Sequence, residues 1–274
     1  MSFLLSMQET KARINDGELK PLDCRFVLGQ PEAGLAAFEQ AHLPGAVHLD
    51  LEKDLSAPVT IESGRHPQPN RAKTAEKLGK YGISSDEAVV VYDDQNLAMA
   101  ARAWWVLRYL GHRHVYVMNA SFSDWVAAGL PVEREARKDA PVNYELREPL
   151  EQPVSADDIE REHEDQEVVL IDARTPERYQ GEDEPIDQVA GHIPGAVNEP
   201  FLQMLTDRGR LLDAASLKKQ LQHRQDQKLM NYCGSGVTAC VNVLAQREAG
   251  LEDVYLYPGS WSEWIALQKH QGSK

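Results

Sequence analysis

Cysteine is scarce: Cys24, Cys233 and Cys240 are the three in 274 residues. An odd number scattered through a long chain argues against a disulfide framework and fits free thiols in a reducing compartment. No CxxC pair or Cys/His cluster has zinc-site spacing, so no metal is expected. Positive charge is also short, with 29 Lys and Arg against 43 Asp and Glu and a net charge of -14. Nucleic-acid binding needs clustered cations to displace counterions, so that partner is not expected, and an anionic substrate must find a local positive pocket. No apolar run is long enough to cross a bilayer, and MSFLLSMQETKAR lacks the basic start and apolar stretch of a signal peptide. A cytoplasmic protein with no membrane partner is the expectation.

What is present is ordinary globular material, 42% hydrophobic and 26% charged. The length suits two domains, each able to bury its own core. An internal repeat supports that division. HLPGAVHLD from His42 recurs as HIPGAVNEP from His192, and DCR from Asp23 recurs as DAR from Asp172. Further on, VVVYDDQNLAMAARAWWVLRYLGHRHVYVMNASFSDW runs beside KLMNYCGSGVTACVNVLAQREAGLEDVYLYPGSWSEW, pairing Gly111 with Gly250, Trp125 with Trp264 and Asp94 with Cys233. The spacings differ, so the first copy carries about ten extra residues after its HLPGA turn, including the proline-rich SGRHPQPN.

VEREARKDAPVNYELREPLEQPVS, rich in charge and proline, reads as a linker. The expected division is a first domain over 1–135, a linker over 136–153 and a second domain over 154–274. In each copy, apolar runs such as EVVLID and AVVVYD alternate with amphipathic helical patterns. That alternation predicts an α/β fold, a mainly parallel sheet flanked by helices in each domain.

Ligands of such sheets collect beyond the carboxyl ends of strands, at helix N-termini. CGSGVTA takes that position: KLMNY delivers Cys233, Gly234 and Gly236 permit close backbone approach, and a helical pattern follows. Backbone N–H groups and the helix dipole would lower the thiol pKa and make Cys233 a nucleophile. The alternative is a buried cysteine packed as a small hydrophobe.

These motifs resemble the rhodanese superfamily over nearly the whole chain, and CGSGVTA is similar to the active-site loop of its two-domain 3-mercaptopyruvate-type members. Thiosulfate-type members often carry basic residues where Gly234 and Ser235 stand here. The resemblance implies one catalytic domain, the second, with Gly234, Gly236, Val237 and Thr238 lining the substrate loop. The first domain would be non-catalytic, with Asp94 at the cysteine position. Arg178 in DARTPERY matches a substrate-binding arginine, a guanidinium fork suited to a carboxylate or thiosulfate, unless it is only a surface residue of a helix turn. Arg174 is expected to be structural. Where relatives often carry a second arginine, this chain has Asp187, and Arg65 of GRHPQP is a candidate replacement.

The resemblance implies double displacement without a cofactor: Cys233 takes sulfur from 3-mercaptopyruvate or thiosulfate and hands it to cyanide, a thiol or a thioredoxin-like protein. In relatives the serine of this loop works with a first-domain histidine and an aspartate. Ser235 and His42 would fill the first two roles, with Pro31 and Glu32 near the aspartate's place; His42 has a structural alternative, since His192 repeats it. Cys240 lies too far along the helix from Cys233 for a direct disulfide, and Cys24 is expected to be packed. A phosphatase of this fold needs an arginine where Ala239 stands. A thiosulfate-preferring enzyme, a persulfide carrier without turnover and a binding module remain as alternatives. A monomer is expected.

Overall fold

The computed structural model describes residues 2–162 and 165–271, the last two by backbone alone. The described residues fall into two compact units. Those within 1–57, 69–151 and 207–210 form the first, and those within 58–68, 152–206 and 211–274 the second.

The first unit runs β1 (Leu4–Leu5), α1 (Met7–Asn15), β2 (Lys20–Asp23), α2 (Ala33–Gln40), β3 (Val47–His48), α3 (Arg71–Lys80), β4 (Val89–Tyr92), α4 (Ala98–Tyr109), β5 (Val115–Met118) and α5 (Phe122–Ala127). Among the described residues its sheet has the order β1-β5-β4-β2-β3, with every neighbouring pair parallel. Central strand β4 reads VVVY and is buried throughout, as a strand covered on both faces must be. Trp104 and Trp105 on α4 are fully buried.

The second unit runs α6 (Ala156–Glu162), β6 (Val168–Asp172), α7 (Pro176–Gln180), β7 (Val197–Asn198), α8 (Ala214–Gln220), β8 (Lys228–Tyr232), α9 (Ala239–Glu248), β9 (Val254–Leu256) and α10 (Ser260–Gln271). Its strands follow the order β7-β6-β8-β9, again all parallel. Both units are the α/β architecture that alternating strands and helices predict.

The repeated motifs form the same network twice. Asp23 accepts Arg25 Nη2 at 2.6 Å, and Asp172 accepts Arg174 Nη2 at 2.7 Å. Each arginine reaches on to a carbonyl, Ala41 at 2.7 Å and Gly191 at 2.6 Å. Tyr92 and Tyr232 hydroxyls bond to those aspartates and accept the N–H groups of Leu43 at 3.2 Å and Ile193 at 3.1 Å. A buried arginine so paired ties its turn to the sheet, and removing either partner would strand a charge. Arg174 is therefore structural.

His42 belongs to the same scaffold, which fits the structural alternative to its expected catalytic role. It is fully buried, stacks on Phe38 at 3.9 Å and bonds the Phe38 carbonyl through Nδ1 at 2.7 Å. His192 does the same with Tyr179, at 3.9 Å and 2.8 Å.

The structure also divides the chain differently from the expected boundaries. Most of the linker over 136–153 packs on the first unit: Val142 N–H bonds Gly79 at 2.9 Å, Arg147 N–H bonds Leu110 at 3.2 Å, and Glu151 pairs with Arg108 at 2.9 Å. Backbone hydrogen bonds and single buried side chains, such as Tyr144, hold it, and these leave no hydrophobic period to read. Conversely, residues 58–68 of the apparent insertion in the first copy belong to the second unit. A Cβ on Gly64 would stand 2.5 Å from the Gly259 carbonyl, so glycine permits this segment its approach.

Candidate active site

Cys233 follows the last residue of β8 and precedes α9. Its carbonyl accepts Trp261 N–H at 3.0 Å, and its own N–H bonds Ser260 Oγ at 3.1 Å. Ser260 sits at φ 55, a left-handed conformation unusual for a residue with a side chain. The loop doubles back at Gly236, φ +73, where a Cβ would stand 2.3 Å from the Pro258 carbonyl. That turn points the loop's donors inward. Burial pushes the Cys233 thiol up, but bonds from the Thr238 hydroxyl and the N–H groups of Ala239, Ser235 and Val237 outweigh it and hold the thiol below its ordinary value. Such a ring favours thiolate.

The loop of the first unit shows which residue stands at the cysteine position. Tyr92 and Tyr232 occupy equivalent places in the duplicated network. The next residue's carbonyl accepts from the following helix in both units, Asp93 from Phe122 at 2.9 Å and Cys233 from Trp261. Asp93 is thus the counterpart of Cys233, one residue before the expected Asp94. Counting back from Trp125 and Gly111 fails because the stretch from Asp93 to Gly111 is one residue longer than that from Cys233 to Gly250. Asp94 instead bonds Ser123 N–H at 2.9 Å and Oγ at 2.7 Å.

Ser235 is nearly buried, and its Oγ lies 2.8 Å from Nδ1 of His66, itself 4% exposed. His66, from a segment outside the repeat, is thus the histidine hydrogen-bonded to the loop serine. It lies in SGRHPQPN, a segment found in only one copy, whose residues up to Gln68 belong to the other copy's unit.

Beside the loop stand two guanidinium groups. A Cβ added to Gly234 would meet Arg65 Nη2 at 2.8 Å and Arg178 Nη2 at 3.2 Å. Arg178 is half-buried at the end of α7, a short helix with Pro176 near its start and Gly181 at φ 79 after its end, as capping rules favour. It bonds Glu184 at 2.7 Å and Asp187 at 3.0 Å. Arg65 pairs with the other oxygen of Asp187. Among the described residues, Arg65 Nε is buried without a hydrogen-bond partner, a donor aimed where no protein acceptor lies. Arg65 and Asp187 also border a 560 Å³ cavity with aliphatic walls that include Val59, Ile61, Ile186 and Ile265.

The other cysteines lie apart from this chemistry. Burial pushes the Cys24 thiol well up, with Asp23 and Asp93 adding to it, so it is inert. Cys240 is fully buried and its Sγ meets the Gly236 carbonyl at 3.3 Å. Among the described residues all three thiols are free.

The family sequence model described as "Rhodanese-like domain" matches residues 6–128 and 155–267. The chain belongs to the rhodanese family. Among its relatives, a probable 3-mercaptopyruvate sulfurtransferase of Pseudomonas aeruginosa is 42% identical over 268 residues, covering 96% of this chain and 94% of that protein. A 3-mercaptopyruvate sulfurtransferase of Mus musculus is 34% identical, covering 93% and 87%, and a thiosulfate sulfurtransferase of Gallus gallus is 32% identical, covering 95% and 91%. In structure this chain is similar to SseA of Escherichia coli, a 3-mercaptopyruvate sulfotransferase, with TM-score 0.84, 29% identity, and coverage of 96% of this chain and 100% of that one.

Proposed function

We propose that this protein is a sulfurtransferase that moves sulfane sulfur from 3-mercaptopyruvate or thiosulfate, through a persulfide on Cys233, to a thiophilic acceptor. The observation that carries the reading is the ring of donors around a buried Cys233, with the thiol held low. The same ring suits the persulfide anion once sulfur is transferred.

In the first half-reaction the Cys233 thiolate attacks the donor's sulfur and an S–S bond forms. With 3-mercaptopyruvate the C–S bond breaks, its electron pair leaves on the pyruvate enolate, and a proton completes pyruvate. With thiosulfate the S–S bond of the donor breaks and sulfite departs with the pair. In the second half-reaction cyanide attacks the outer sulfur, giving thiocyanate and restoring the thiolate. A thiol acceptor instead becomes a persulfide, which a thioredoxin-like dithiol reduces to sulfide while becoming a disulfide.

Arg178 and Arg65 hold the donor's anionic end, a role supported by their convergence on Gly234 and by the unpartnered Nε of Arg65. Ser235, hydrogen-bonded to His66, carries the proton the enolate needs. Val237 and Thr238 shape the loop with Gly234 and Gly236. Sulfite leaves as an anion and draws less on that relay. We place the protein in the cytoplasm as a monomer; three free thiols support a reducing compartment, and among the described residues no helix is long and apolar enough to cross a membrane.

Thiocyanate formation with each donor tests the proposal. Wild type is expected to turn over, Cys233→Ser to be inactive, and His66→Ala to lose more with 3-mercaptopyruvate than with thiosulfate. His42→Ala is expected to lower stability without that donor bias. Turnover retained by Cys233→Ser would overturn the reading.

A further inference from the structure

Three guanidinium groups and three carboxylates cluster behind the Cys233 loop. Arg174 is matched by Asp172 at 2.7 Å and reaches Glu184 at 3.2 Å. Glu184 is shared with Arg178, and its Oε1 also accepts the N–H groups of Ile186 at 3.1 Å and Asp187 at 3.0 Å. Asp187 is the member that faces the loop: its Oδ2 would lie 3.4 Å from a Cβ on Gly234. Its side chain is 2% exposed, with one oxygen on Arg65 and the other on Arg178. The arginines that meet an incoming anion are thus held by a carboxylate at the same place, and the cluster is formally neutral.

We infer that Asp187 sets the charge preference of the donor site: it orders Arg65 and Arg178 while cancelling one of their charges, favouring monoanionic over dianionic donors. The inference rests on the sulfur-donor reading above. The physical ground is Coulombic. A fixed negative charge within several ångströms repels a dianion such as thiosulfate about twice as strongly as a monoanion such as 3-mercaptopyruvate, and partial burial weakens the screening. Asp187 is therefore a specificity-determining residue acting through the two arginines.

The test compares KM for thiosulfate and 3-mercaptopyruvate in wild type, Asp187→Asn, Asp187→Glu and Arg65→Gln. For a donor that a variant binds without turnover, its inhibition constant against the other donor takes the place of KM. Asp187→Asn should lower the thiosulfate value about tenfold relative to that of 3-mercaptopyruvate, while kcat with each donor moves far less. Asp187→Glu should keep the wild-type ratio. Arg65→Gln should move the ratio the opposite way, a readout that stands even where Asp187→Asn folds poorly. An active enzyme whose ratio stays fixed across Asp187→Asn and Arg65→Gln would overturn the role of Asp187. Absence of sulfur transfer from either donor by wild type would instead sink the donor-site reading itself.

Discussion

The strand-to-helix loops of the two units build the same donor ring around different anions. In the second unit the N–H groups of Ser235, Val237 and Ala239 converge on the Cys233 sulfur. In the first, the corresponding groups of Gln95, Leu97 and Met99, joined by Ala100, converge on the carboxylate of Asp93 at 3.0, 3.2, 2.8 and 3.0 Å. Asn96 at φ 56 makes the turn that Gly236 makes at φ 73. The fold therefore supplies an anion cradle in both places, and its occupant decides the use. A carboxylate locked to the backbone fills its ring permanently, whereas a sulfur can accept and surrender a second sulfur. The surroundings differ as well: two arginines face Gly234, whereas Asp94 occupies the matching place and caps toward Ser123.

Exchanging residues between the loops should produce the largest effects. Cys233→Asp places the first unit's anion in the second unit's ring; sulfur transfer should vanish while the melting temperature changes by only a few degrees, and a collapse in stability would mean the rings are not equivalent. Gly234→Asp brings a carboxylate against Arg65 and Arg178, and kcat/KM should fall by about a hundredfold for either donor, from lost anion binding. Unchanged kinetics would remove both arginines from donor binding.

Smaller effects test the first unit. Asp93→Ala leaves several buried N–H groups without an acceptor and should cost about 3 kcal/mol in chemical denaturation, with activity retained per folded molecule. Activity lost at unchanged stability would give Asp93 a chemical role. Asn96→Gly should change stability by less than about 0.5 kcal/mol, since asparagine already tolerates the left-handed turn and glycine adds unfolded-state entropy. A large loss would show that the Asn96 side chain, rather than its backbone, shapes the loop.

The division into two α/β halves was legible because repeats and strand–helix alternation are periodic signals, and Cys233 was legible because glycines flank it after an apolar strand. Arg178 stood out through its motif, and its guanidinium lies beside Gly234. The register at the first loop was not legible, because aligning from Trp125 crosses a helix of different length, and the tyrosine–aspartate bonds with the matching carbonyl contacts reveal Asp93. The Ser235–His66 contact was not legible, since His66 lies in a segment present in one copy only while the repeated HLPGA turn is conspicuous in sequence. Residues 58–68 join the second unit through close backbone approach at Gly64 and single polar bonds, which leave no pattern in the chain. Asp187 looked like a missing arginine. In three dimensions it is the acceptor that holds Arg65.

The most direct test of the central claim is intact-protein mass after exposure to 3-mercaptopyruvate or thiosulfate without an acceptor, followed by peptide mapping. A gain of one sulfur atom on Cys233, discharged by cyanide and absent in Cys233→Ser, is the predicted result. Active protein that gains no sulfur, or gains it elsewhere once Cys233 is replaced, would contradict the account.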